Sequence, residues 1–222
     1  MMKFRLGLLQ RRQCIVPTLR GWLVMFAVCI LLAVGLLAGV YPFLAVNDPR
    51  PGGVLVVEGW GSEQMMRDAL DEFARNHYLA FCVTGGPIES SSPLSSYGTF
   101  ADLGTALLMR LGGDPAIIQT VPAPMVKQDR TYASAVALKT WLQAHGITAT
   151  QLNIISWGAH SRRTRLLYQQ AFGDEVTVGI VASAERDFDP SRWWTSSGGF
   201  RFVSGEAIAY LYVRLLFRRP GA

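Results

Sequence analysis

The chain begins its hydrophobic pattern with a long uncharged run and then changes to short apolar runs alternating with helical periods. From Gly21 to Val46 the sequence GWLVMFAVCILLAVGLLAGVYPFLAV carries no charge. It exceeds the roughly 20 apolar residues that span a bilayer as a helix. Downstream, GVLVVEG predicts a buried strand and Ser62 to Asn76 a helix. LAFCVTGG predicts a second strand, GTFADLGTALLMRLGG a helix, and AIIQTV a short third strand. DRTYASAVALKTWLQAHG predicts a helix ending at Gly146, LNIISWG a fourth strand, SRRTRLLY the start of another helix, and EVTVGIVA a fifth strand. Continuous apolar strands alternating with helices are buried on both faces, as in a parallel sheet. The expected fold class is therefore α/β: a Rossmann-like, doubly wound, mainly parallel sheet of about five strands, preceded by one N-terminal transmembrane helix.

The pattern divides the chain into a basic tail (1–20), an anchor (21–46), a linker (47–52), a Rossmann-like domain (53–217) and a short tail (218–222). The domain includes a final apolar helix, RFVSGEAIAYLYVRLLF, with Arg201, Glu206 and Arg214 inside it. It is too short and too charged to span a bilayer, and fits either packing on the sheet or lying on a membrane surface.

Charge fixes a topology. The net charge is +5, and Lys3, Arg5, Arg11, Arg12 and Arg20 account for all of it, since no acid precedes residue 21. The rest of the chain is balanced, which excludes a global nucleic-acid footprint. A basic flank stays cytoplasmic, so the expected localisation is the inner (plasma) membrane, single-pass, with the N-terminus in the cytoplasm and the main domain outside it. A cleaved signal peptide would have a shorter apolar region and a small-x-small site, whereas bulky Phe43 and Leu44 stand near the end of this run. Of three cysteines, Cys14 lies in the tail, Cys29 in the anchor and Cys82 in a strand. One thiol in the domain cannot form an internal disulfide, and Cys82 within LAFCV reads as a buried small hydrophobe.

Ligands of open parallel sheets bind beyond the carboxyl ends of the strands. That rule selects Glu58 after the first strand, Gly85 and Gly86 after the second, Asp129, Arg130 and Thr131 after the third, and His160, Arg162, Arg163 and Arg165 after the fourth. A carboxylate such as Glu58 at a buried strand end needs an arginine or a ligand. Asp129 suits an acid–base role or a helix N-cap. Arginines in the first turn of a helix work against its dipole. Those in SWGAHSRRTRLLY therefore imply an anionic partner, either a bound phosphate or carboxylate or acids of the chain itself. Position 64 is Gln64 where a dinucleotide fingerprint needs glycine. His77, His145 and His160 lack metal-ligand spacing, so no metal site is expected, and no P-loop or G-x-S-x-G elbow occurs. The residues name no cofactor.

VVEG at the first strand, Thr84-Gly85-Gly86 at the second, DRTYASAVALKTWL before the fourth and GAHSRRTRLLY after it, all behind an anchor, resemble the SanA/ElyC/YdcF family of bacterial envelope proteins over roughly residues 53–185. The family pattern has an S-G-G turn, an acid after it, an N-T-x-E-N-like segment and an H-x-x-R-A-like segment. Here Ala133-Ser134 stands in place of Glu-Asn, and the acid corresponds to Glu89 or Asp102. The resemblance implies envelope integrity and peptidoglycan or surface-polysaccharide assembly, linked to polyprenyl-phosphate carriers, and associates the fold with nucleotide-like ligands such as S-adenosylmethionine. The resulting expectation is an anchored envelope-biogenesis protein binding a phosphorylated or lipid-linked precursor at the carboxyl edge of the sheet. Arg130, Thr131, Arg162, Arg163, Arg165, Glu58 and the Gly85-Gly86 amides would hold it. If it hydrolyses or transfers that precursor, Asp129 and His160 would be the acid–base pair. The alternatives are a non-catalytic scaffold of an envelope-synthesis complex, docking through DFDPSRWW, and a nucleotide- or S-adenosylmethionine-binding enzyme.

Overall fold

The computed structural model describes residues 16–219. Lys3, Arg5, Arg11, Arg12 and Cys14 of the basic tail, and the last three residues of the 218–222 tail, lie outside the described residues. The chain forms two compact units, one ending at Leu37 and one beginning at Ala38. The first consists mainly of helix α1, Leu19–Leu44, whose last turns belong to the second unit. At 26 residues α1 is about 39 Å long. Its most apolar stretch has a mean hydropathy of 2.9, so it is long and apolar enough to cross a membrane.

The second unit is a five-stranded sheet with every strand parallel, in the order β3-β2-β1-β4-β5. The strands are β1 (Val54–Glu58), β2 (Ala80–Gly85), β3 (Ile118–Pro122), β4 (Gln151–Trp157) and β5 (Thr177–Ser183). They coincide with the apolar runs because both faces are covered. Val54, Val56, Cys82, Leu152 and Ile154 point toward Ala135, Leu138 and Tyr168 of α4 (Arg130–Ala144) and α5 (Ser161–Phe172). Leu55, Val57, Phe81, Val83 and Ile155 meet Met65, Met66 and Leu108 of α2 (Glu63–Arg75) and α3 (Phe100–Arg110). Cys82 is fully buried, and burial pushes its thiol up to about 12.

Local chemistry sets the helix starts. Ser62 accepts a hydrogen bond from the Met65 amide, Thr99 from Asp102 and Ser196 from Gly199. Ser196 makes the final helix, α6 (Ser197–Leu215), begin before Arg201, earlier than the sequence pattern predicts. The segment expected as a free linker is laid along the sheet edge instead. Asp48 bridges Ile180 of β5 in antiparallel fashion, and Gln151 donates to the Pro51 carbonyl at 2.6 Å.

Helix α3 sits hard against the end of β1. A Cβ at Gly104 would fall 2.5 Å from the Gly59 Cα, and one at Gly59 would fall 2.1 Å from the Phe100 carbonyl oxygen. Backbone meets backbone there and nothing flexible can yield. Gly104→Ala is therefore expected to destabilise the domain by roughly 1–3 kcal/mol, the cost of an overpacked core. Gly205→Ala on α6, with open space around it, should be neutral or slightly stabilising. Thermal unfolding of the detergent-solubilised protein, followed by circular dichroism, reads both.

Candidate functional site

With strand order β3-β2-β1-β4-β5, the direction of chain progression reverses between β1 and β4. In open α/β sheets the ligand crevice lies beyond the carboxyl ends of the strands at that point. Here the crevice holds the chain's own polar groups. Glu58 ends β1 and is 3% exposed. Its carboxylate accepts from Ser156 Oγ at 2.5 Å and from Thr164 Oγ1 at 3.3 Å. His160, 5% exposed, brings Nε2 to 3.5 Å from Glu58 Oε1. Its Nδ1 lies 3.0 Å from Oε1 of Glu206, which comes from α6. Arg163 grips the same carboxylate through both oxygens, Nε to Oε2 at 2.8 Å and Nη2 to Oε1 at 3.0 Å. The Trp60 ring stands edge-on over His160, with centroids 5.0 Å apart.

The four charges alternate in sign. Burial alone would neutralise His160, but the Glu58 charge, the hydrogen bond to Glu206 and the Glu206 charge reverse that and push its pKa up to about 9. Burial likewise works to raise Glu206, and the bonds and charges of His160 and Arg163 overcome it, lowering Glu206 to about 2. Glu58 is also lowered, against the burial penalty, by the charge of His160 and the hydrogen bond of the Ser156 hydroxyl. His160 Nδ1 lies within hydrogen-bond distance of both Glu206 Oε1, at 3.0 Å, and Arg163 Nη2, at 2.9 Å, while Nε2 turns toward Glu58. That Nε2 is buried with no hydrogen-bond partner within normal geometry.

Each arginine in the α5 first turn has a partner within the protein. Arg163 holds Glu206. Arg165 donates to Asp48 at 2.8 Å and to the Val178 carbonyl at 2.9 Å. Arg162 donates from Nε to the carbonyl of Phe43 and lies 4.0 Å over the Phe43 ring. The last carbonyls of a helix lack intrahelical partners and attract cations, which is what the last turn of α1 supplies to Arg162. Of the two partners expected for these arginines, a bound anion or acids of the chain, the structure shows acids of the chain at Arg163 and Arg165 and a backbone carbonyl at Arg162.

Other expected residues are placed differently. The carboxylates that meet His160 are Glu58 and Glu206, so His160 does not pair with Asp129. Asp129 stands at the N-cap of α4 with φ 57°, a left-handed conformation, and makes no side-chain cap bond. Thr131 follows in the first turn of α4, and Arg130 is exposed. Gly85 is not an open anion cradle, because a Cβ there would fall 2.7 Å from the Ala101 amide nitrogen. Gly86 keeps open space, its nearest neighbour being the Pro124 carbonyl at 3.9 Å. In DFDPSRWW, Trp193 is buried and Trp194 is 36% exposed, so only one ring is available for docking.

Glu206 was invisible as a site residue in the sequence. The available signal was a lone acid inside an apolar helical run, and Ser156 inside the apolar run of β4 was a second. Near them, Glu185 Oε1 accepts from the amides of Arg186 and Asp187, while its Oε2 is buried without a partner. Burial raises the pKa of Glu185. A cleft of about 730 Å3 opens at the carboxyl end of β3, lined by Val121, Pro122, Pro124, Tyr132, Val136 and Trp141 among others.

The alternating charges generate a pH profile. The folded pKa of His160 lies above its unfolded value near 6.5, so its contribution is full below pH 6.5 and is lost as pH rises toward about 9. Glu206 lies below its unfolded value near 4.5, so its contribution is full above pH 4.5 and is lost as pH falls toward about 2. Thermal stability is expected to be greatest between these limits, and His160→Gln should flatten the alkaline decline. Arg163→Ala should cost roughly 3 kcal/mol by leaving Glu206 uncompensated, whereas Arg162→Ala should cost about 1 kcal/mol. Denaturant titration at several pH values measures both. Compared with family models, with curated proteins and with solved structures, the chain matches none.

Proposed function

We propose that the protein is a single-pass envelope protein, cytoplasmic at its N-terminus, whose domain binds a phosphorylated or lipid-linked cell-wall or polysaccharide precursor at the membrane surface. The resemblance to the SanA/ElyC/YdcF family points the same way. The observation that carries the reading is the place where the last turn of α1 docks. A Cβ on Gly158 would lie 3.0 Å from the Tyr41 hydroxyl, and Arg162 holds the Phe43 carbonyl. Both contacts are at the carboxyl edge of β4. The edge at which such sheets bind ligands therefore faces the end of the apolar helix.

With the α5 arginines paired internally, the binding role passes to the α4 side of the same edge. Exposed Arg130, the amides of the first turn of α4 and open Gly86 suit a phosphate. The apolar cleft beside them, with Tyr132 and Val136 in its wall, suits the first units of a hydrocarbon chain. Binding is the reading favoured over catalysis, because His160 is buried and enclosed by Glu58, Glu206 and Trp60. One observation keeps hydrolysis or transfer as a second reading: the buried Nε2 of His160 faces Glu58 without a hydrogen bond.

Mass spectrometry of small molecules co-purifying with the full-length protein in mild detergent tests the proposal. A phosphorylated lipid is expected with the parent and should be lost from both Arg130→Ala and Val136→Asp, whose side chains are exposed and should leave unfolding unchanged. A parent that carries no such lipid, or equal retention in both variants, overturns it.

A further inference from the structure

Helix α6 is apolar on two faces, and the domain covers only one. Val203, Glu206, Tyr210, Val213 and Phe217 face inward. Val203 and Val213 are buried, Glu206 closes the charge cluster, Tyr210 meets Phe43 with ring centroids 5.5 Å apart, and Phe217 meets Tyr132 at 5.1 Å. The other face carries Ile208 at 69% exposure, Leu211 at 53%, Tyr212 at 40%, Leu215 at 73% and Leu216 at 70%. Their spacing of three, one, three and one residues is that of a continuous helical stripe. A stripe this apolar needs a cover.

We infer that this face of α6 lies in the headgroup region of the bilayer that α1 enters, so that the domain is held to the membrane by a second, interfacial contact. Three observations identify lipid as the occupant. The Phe43–Tyr210 contact sets α6 beside the last turn of the one described helix long and apolar enough to cross a membrane. Leu44 is buried in the domain while Phe43 remains 48% exposed, so no free linker separates the domain from the end of that helix. Finally, no acidic residue follows Glu206, whereas Arg214, Arg218 and Arg219 flank the stripe. Apolar side chains with flanking arginines are the composition of helices that sit about 5–10 Å into an anionic surface. The inference rests on the anchored half of the proposed function and not on the precursor, so failure to find a co-purifying lipid would leave it standing.

The test uses the full-length protein in phosphatidylcholine–phosphatidylglycerol nanodiscs carrying nitroxides both just below the headgroup and near the end of the acyl chain. An environment-sensitive fluorophore is placed on Leu211→Cys, Leu215→Cys, Leu31→Cys or Leu79→Cys in a Cys14→Ser/Cys29→Ser background. Cys82 is buried and stays unlabelled. Leu31, in α1, reports insertion of the anchor, and Leu79, exposed ahead of β2 at the amino edge of the sheet, reports the aqueous side. The Leu211 and Leu215 labels are expected to lose roughly half of their emission or more, as Leu31 does, with Leu79 unchanged. Quenching at Leu31 alone overturns the inference and spares the anchor, and no quenching at Leu31 overturns both. Labels at Leu211 and Leu215 that stay unquenched but crosslink between chains would put a second copy of the protein on the stripe and overturn it as well.

Discussion

The fold closes around one buried chain of alternating charges: Glu58, His160, Glu206 and Arg163. Any one of these groups alone would be costly in a dry interior, since an isolated buried charge forces neutralisation or unfolding. Together they are tolerable because each charge has an opposite neighbour within 3.5 Å, and Ser156 and Thr164 donate hydrogen bonds to Glu58. The four residues come from β1, the β4–α5 junction, α5 and α6. Satisfying them requires these elements to meet in one arrangement. The placement of α6 over the carboxyl edge therefore depends on the cluster as much as on apolar packing by Val203 and Val213.

That arrangement changes what the carboxyl edge offers a ligand. The crevice between β1 and β4, where a parallel sheet of this order would take a nucleotide, is filled by the Glu206 carboxylate and shielded by Trp60. The open part of that edge lies outward toward β3 and α4, where Gly86 has space around it and Arg130 is exposed. Meanwhile Arg162 and Arg165, in the same basic stretch of α5, fix the chain that arrives from α1: one through the Phe43 carbonyl, the other through Asp48. Basic residues at the start of α5 thus organise the end of the domain at which the chain leaves α1.

Strand and helix positions were legible in the sequence because the inner strands are buried on both faces. Runs such as VLVVE and AFCVTG need no alternation and stand out from the polar turns between them. Ser196 was a less visible signal: its side chain caps α6, so the helix starts within SSGG, where glycines argue for a loop. Glu58 was legible as a residue needing a partner, because a carboxylate at the end of an apolar strand is seldom left alone. Its partner, a histidine with two serine and threonine hydroxyls rather than an arginine, was not.

Local information is enough to set periodicity, caps and the length of an apolar helix, and these determined the α/β class, an N-terminal helix long and apolar enough to cross a membrane and the strands from the sequence alone. Pairing between distant residues is decided by chain crossing, which periodicity does not encode. That Glu206 lies beside His160, that Arg165 reaches back to Asp48 and that Arg162 caps α1 are contacts across 46, 117 and 119 positions of the chain. The basic stretch alone required a negative partner, because its charges oppose the dipole of α5. Only the tertiary structure decided that this partner is the protein itself.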